Sequence, residues 1–154
     1  MFEKEYQIVK DRVALGKPCA PVTDLNEGAR IGRLLLRELA NHSNGVGLAA
    51  NQIGIDAAVC VINVGRPVVL VNPVVKNAFE KIFFPEACLS FPGEQVNTQR
   101  WANIAVKADN HKDILLFDKR NLLECICVQH EIDHLAGIIM HERKVVLDKP
   151  EDIR

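Results

Sequence analysis

The segment Leu122-Leu123-Glu124-Cys125-Ile126-Cys127-Val128-Gln129-His130-Glu131-Ile132-Asp133-His134-Leu135 decides how the rest of the chain is read. Leu123, Ile126, Cys127, His130 and His134 fall at i, i+3, i+4, i+7 and i+11, one continuous face of an α-helix. Asp118 can cap such a helix, which is predicted to run through Leu122 to about Leu135. The apolar stripe seeks a core and carries both histidines inward with it. Buried imidazoles need partners, and two of them four residues apart on one face can satisfy that need on a single ion. Glu131 sits beside them without being required as a ligand. There it suits a general base that takes a proton from water and returns it to a leaving amine. The alternative is a chance His-Glu-x-x-His match on an ordinary polar helix face.

Outward from this helix, residues 57–64, 68–75, 81–84, 103–108 and 114–117 are short β-branched runs separated by Gly, Pro and Asn, and are predicted as strands. Earlier still, Ile31, Leu34, Leu35 and Leu39 recur at helical spacing, giving a helix from Leu25 to the stop at Asn41 to Gly45. Thr23 or Asp24 can cap it, and Asp24 with Glu27 has the form of a capping box. Residues 1–22, with Pro18 and Pro21, read as an irregular arm. Helix, several strands, helix, with no βαβ alternation, predicts an α+β fold: antiparallel or mixed sheets packed around a central metal-binding helix. The 154 residues are expected to form one domain.

The 19 basic and 20 acidic residues nearly cancel and are scattered, so neither a nucleic-acid nor a membrane surface is expected. Peptides or small molecules are the expected partners. Met1 to Lys10 lacks an apolar leader core and no apolar run is long enough to span a bilayer, which predicts a cytoplasmic protein. Five cysteines, an odd number without scaffold density, fit a reducing compartment where a thiolate can serve a metal. Cys19 and Cys60 read as small inert apolar residues. Cys125 points away from the histidine face, whereas Cys127 lies on it and competes as a ligand.

A catalytic ion needs a third protein ligand and one open position. Downstream, the place ten residues after His130 holds Met140 and His141 comes one residue late, leaving only Glu142 and Glu151 in a charged tail. The third ligand is therefore expected upstream.

Two upstream blocks, Gly45-Val46-Gly47-Leu48-Ala49-Ala50-Asn51-Gln52 and Glu86-Ala87-Cys88-Leu89-Ser90, join the histidine segment in order and spacing. Together they resemble the three motifs of the peptide deformylases, GxGLAAxQ, EGCLS and QHExDHLxG, over about residues 45 to 137. The resemblance implies Cys88, His130 and His134 as ligands of one divalent ion, Fe2+ in this family with Zn2+ or Ni2+ able to substitute. One thiolate and two imidazoles leave a fourth tetrahedral position for water. It implies Gln52 and the backbone N–H of Leu89 as donors to an oxyanion, Glu131 as proton shuttle, and loss of the N-formyl group from the initiator methionine of nascent chains as the reaction. Val46 and Gly47 can pair with an extended peptide. Val46, Phe84, Leu123, Ile126 and Cys127 offer an apolar wall for a methionine thioether, although Leu123 and Ile126 serve equally well as core.

Ala87 departs from the family's glycine, and a need for positive φ there would displace Cys88. Glu86 and Arg100 are expected to pair beneath the site. Few residues follow Gly137, so the long C-terminal helix of many members is not expected, nor ribosome docking through it; a monomer is expected. Two rival readings are a zincin-type peptidase using Glu142 or Glu151, and a catalytically silent formyl-peptide-binding module.

Overall fold

The computed structural model describes residues 6–146. Two antiparallel three-stranded sheets enclose one helix. The first sheet, in the order β1-β2-β3, is built from β1 (Gly47–Ala49), β2 (Val59–Asn63) and β3 (Pro67–Val71). The second, β4-β5-β6, is built from β4 (Val74–Glu86), β5 (Val96–Lys107) and β6 (Leu115–Phe117). Short α1 (Arg12–Leu15) and long α2 (Leu25–Ala40) precede them, and α3 (Leu122–Leu135) follows. The expected α+β architecture is what forms.

α2 lays Ile31, Leu34, Leu35 and Leu39 on β2 and β3. Asp24 caps it by accepting from the Asn26 N–H, but Glu27 pairs with Arg30 instead of completing a capping box. α3 lies between the sheets, against β1 and β2 on one side and β5 and β6 on the other. All residues from Glu124 to Glu131 are buried, as are His134 and Leu135, so the helix needs no polar face. Its cap is Asn121, which accepts from the Glu124 N–H; Asp118 caps the preceding helical turn, Lys119–Asn121.

The strands differ most from expectation. β4 and β5 are far longer than 81–84 and 103–108. Most of β4 is exposed, so it lacks an apolar alternation. In β5 the inward positions are Val96, Thr98, Arg100, Ala102, Ile104 and Val106, and the polar pair breaks the apolar period. β1 was not expected: three residues beside glycines gave no periodic signal, and pairing with Val61 and its neighbours makes it a strand. The arm is not wholly irregular either. Asp11 caps α1 and delivers Leu15 to full burial. The arm then crosses the end of α3, where the Cys19 N–H donates to the Leu135 carbonyl at 2.9 Å. Among the described residues, no helix is long and apolar enough to cross a membrane.

Candidate metal centre

Three elements bring the site together. α3 supplies His130 and His134, the segment after β4 supplies Cys88, and the helical turn Ala50–Ile53 supplies Gln52. The ligand atoms of Cys88, His130 and His134 all lie within 4.8 Å of one another. The two Nε2 atoms are 3.2 Å apart, and Cys88 Sγ is 3.4 Å from that of His134. His130 Nδ1 donates to Glu86 Oε1 at 2.7 Å, so its Nε2 presents a lone pair to the common point. His134 Nδ1 is buried without a partner among the described residues, so no hydrogen bond fixes its tautomer and its Nε2 is free to face the same point as an acceptor. The donor set and its convergence therefore fit a divalent ion with a tetrahedral preference.

The surrounding charges agree. Burial opposes charge on His130, but Cys88, Glu131 and Glu86 outweigh it and push its pKa up, so the point favours positive charge. His134 is pushed down to about 3 by burial, with His130 and Arg100 adding to the effect, which keeps its ring neutral. Burial raises Glu86, yet Arg100 and His130 prevail and hold it down at about 2. The expected Glu86–Arg100 pair is present, with two contacts from the guanidinium, and Thr98 Oγ1 also donates to Glu86. Glu131 is pushed up to about 7, chiefly by burial, with Glu86 adding and His130 and Arg100 opposing. One of its oxygens, Oε1, is buried with no hydrogen-bond partner in the protein.

Gln52 is oriented rather than solvated. Its Oε1 accepts from the Ala49 N–H at 2.9 Å, which turns Nε2 toward Cys88 Sγ at 3.5 Å and Ser90 Oγ at 3.2 Å. Beside it opens a cleft of about 510 Å³, lined by Val46, Gly47, Gln52, Phe84, Cys88, Leu89, Leu123, Ile126, Cys127, His130 and Glu131. Every ligand, catalytic or pocket residue expected from the sequence faces this cleft except His134, which is fully buried behind it. Leu123 is 40% exposed, which makes it cleft wall more than core, whereas Ile126 at 2% serves both. Burial pushes the thiols of Cys127 and Cys60 well up, and that of Cys19 to about 11. Ala87 is not among the residues with positive φ, so the backbone there does not require glycine. Glu142 is exposed, and Glu151 lies outside the described residues.

Reading the sequence missed Ser90, Thr98, Asp133 and Arg143. Strict alternation along β5 would have set Thr98 beside Arg100 on the inner face. Nothing local points to the Asp133–Arg143 pair, which bridges α3 and the turn Met140–Arg143.

A thiol and two imidazoles on one point, with a buried, protonatable carboxylate at the same cleft, are the groups of a metal-dependent hydrolase. The Polypeptide deformylase family model matches residues 6–150. The chain belongs to the polypeptide deformylase family. It is 39% identical to the peptide deformylase of Heliobacterium modesticaldum, over 96% of this chain and 98% of that one. With that of Desulfitobacterium hafniense it shares 37% identity over 90% and 93% of the two chains. Among solved structures, the peptide deformylase of Thermotoga maritima superposes with a TM-score of 0.80 at 33% identity, covering 94% of this chain and all of that one. The peptide deformylase of Thermus thermophilus gives 0.82 at 30% identity, covering 96% and 89%.

Proposed function

We propose that this chain acts as one catalytic domain that hydrolyses the N-formyl amide of the initiator methionine on newly made polypeptides, releasing formate. The observation that carries the residue assignment is the convergence of Cys88, His130 and His134 at the cleft shared by Glu131 and Gln52. Those three residues hold one divalent ion, for which we propose Fe2+, with Zn2+ or Ni2+ able to substitute. When bound, the ion supplies Lewis acidity at that point.

The chain's own groups do the rest. β1 is an edge strand among the described residues; the Val46 carbonyl is taken by the Asn63 N–H, so an extended peptide backbone pairs along the outer edge at Gly47, with Val46 beside it. Val46, Phe84, Leu123, Ile126 and Cys127 enclose the methionine side chain. Glu131 takes a proton from the attacking water as the oxygen adds to the formyl carbon. The Gln52 Nε2–H and Leu89 N–H donate to the oxygen that gains charge. Glu131 then returns the proton to the peptide nitrogen, the C–N bond breaks, and formate and a free N-terminal amine leave. We further infer a cytoplasmic monomer.

The test is turnover of formyl-Met-Ala, followed by release of the free amine, with protein reconstituted anaerobically with iron, nickel or zinc. Turnover with iron exceeding that with zinc supports the iron assignment. Absence of turnover with all three metals sinks the proposal.

A further inference from the structure

Beyond α3 the chain folds back over the start of β5. Met140 is 1% exposed, Lys144 forms an antiparallel bridge with Thr98, and the Val145 N–H donates to the Asn97 carbonyl at 2.9 Å. This strap fixes the backbone of Arg143 on both sides. The Arg143 guanidinium grips Asp133 in a fork, Nε to Oδ2 and Nη2 to Oδ1, each at 2.9 Å. Asp133 Oδ2 also accepts from Arg100 Nη1, and Arg100 binds Glu86 through Nε and Nη2. Glu86 in turn holds His130 Nδ1. A second line runs from the same strap: Thr98, the bridge partner of Lys144, donates its hydroxyl to Glu86.

We propose that Arg143 is a positioning residue of the metal centre, acting through Asp133, Arg100 and Glu86 on the orientation of His130 and so on how tightly the ion is held. The inference rests on Cys88, His130 and His134 being the ligands. Arg100 is a single guanidinium, 4% exposed, shared between two carboxylates. Asp133 competes with Glu86 for it, and the fork from Arg143 relieves that competition. Without Arg143, Asp133 has only Arg100 among these partners and draws it away from Glu86. Glu86 then loses part of the scaffold that fixes the tautomer and tilt of His130. Arg143 itself is 43% exposed, so its direct Coulombic reach to the ion is screened; its action is geometric.

The test is zinc affinity of the apoprotein, measured against a competing chelator, with the absorption spectrum of the cobalt form as a second readout of ligand geometry. Arg143→Met is expected to weaken zinc binding about 3- to 10-fold, below the roughly 10- to 100-fold of losing a direct partner of a ligating histidine, and to shift the cobalt spectrum. Arg143→Lys keeps the charge but not the fork and is expected to fall between that variant and the parent. Arg120→Met, which breaks an exposed pair with Asp118, is expected to match the parent. A folded Arg143→Met with parental zinc affinity overturns the proposal, as does an equal loss in Arg120→Met. If Arg143→Met does not fold, Arg143→Lys decides: weakened affinity supports the proposal and parental affinity overturns it. A parent that binds no zinc or cobalt overturns the ligand assignment instead.

Discussion

Replacing Gly47 with alanine puts one carbon between β1 and α3. An ideal Cβ there lies 2.6 Å from Cys127 Sγ, 2.7 Å from Glu131 Oε2 and 3.0 Å from Glu131 Cγ. Heavy atoms of this kind settle at about 3.5–4.0 Å, so β1 and the Glu131 side chain must separate by roughly 1 Å. Conformation is not at issue, because Gly47 is not among the glycines of positive φ. It is glycine for want of space. Overpacking of this sort costs about 1–3 kcal/mol of stability. A shift of about 1 Å in the Glu131 carboxylate costs about 100-fold in rate, or about 2.7 kcal/mol of barrier. Steady-state kinetics on formyl-Met-Ala, metal analysis and thermal unfolding separate the two effects. Gly47→Ala is expected to lose about 100-fold in kcat/KM while retaining metal, since neither crowded residue is a proposed ligand. Adding Cys127→Ala removes the contact at sulfur but not the one at Oε2, so stability recovers in part and rate does not. Near-parental kcat/KM with an unchanged melting temperature would refute the claim that this contact positions Glu131.

Gln52→Ala removes the donor held near Cys88 Sγ and is expected to lower kcat about 10²- to 10³-fold with little change in KM; a pure KM effect argues against an oxyanion role. Arg100→Ala strips Glu86 and Asp133 of a shared, buried partner, which is expected to cost about 3–5 kcal/mol of stability and to lower metal retention. Unchanged metal content after dialysis against chelator counts against the link to His130. Gly137→Ala meets both a φ of 77° and a backbone oxygen, Gly16 O, 2.6 Å from the new Cβ. A loss of more than about 1 kcal/mol is expected in denaturant titration, and an unmoved midpoint would show that the arm is not pinned there.

Much of this site was legible because helical spacing is rigid. Once Ile126 and Cys127 point inward, His130 and His134 on the same helix face follow. The cleft side of Cys88 and Gln52 was legible only through motif resemblance, since neither residue has a local period to place it. The sheet was read least well. β1 exists by virtue of its partner β2, and the lengths of β4 and β5 follow from pairing with each other over Val74↔Lys107 through Glu86↔Val96. Strand pairing is a long-range decision that short windows do not record. The same holds for Arg143, whose partner Asp133 is ten residues away and one fold-back removed.

His134 has no exposed surface, His130 has little, and half-buried Cys88 faces the cleft. On the assignment proposed above, ion and peptide would both be reached through this cleft. A peptide seated along β1 would then lie between the cation and the mouth of the cleft.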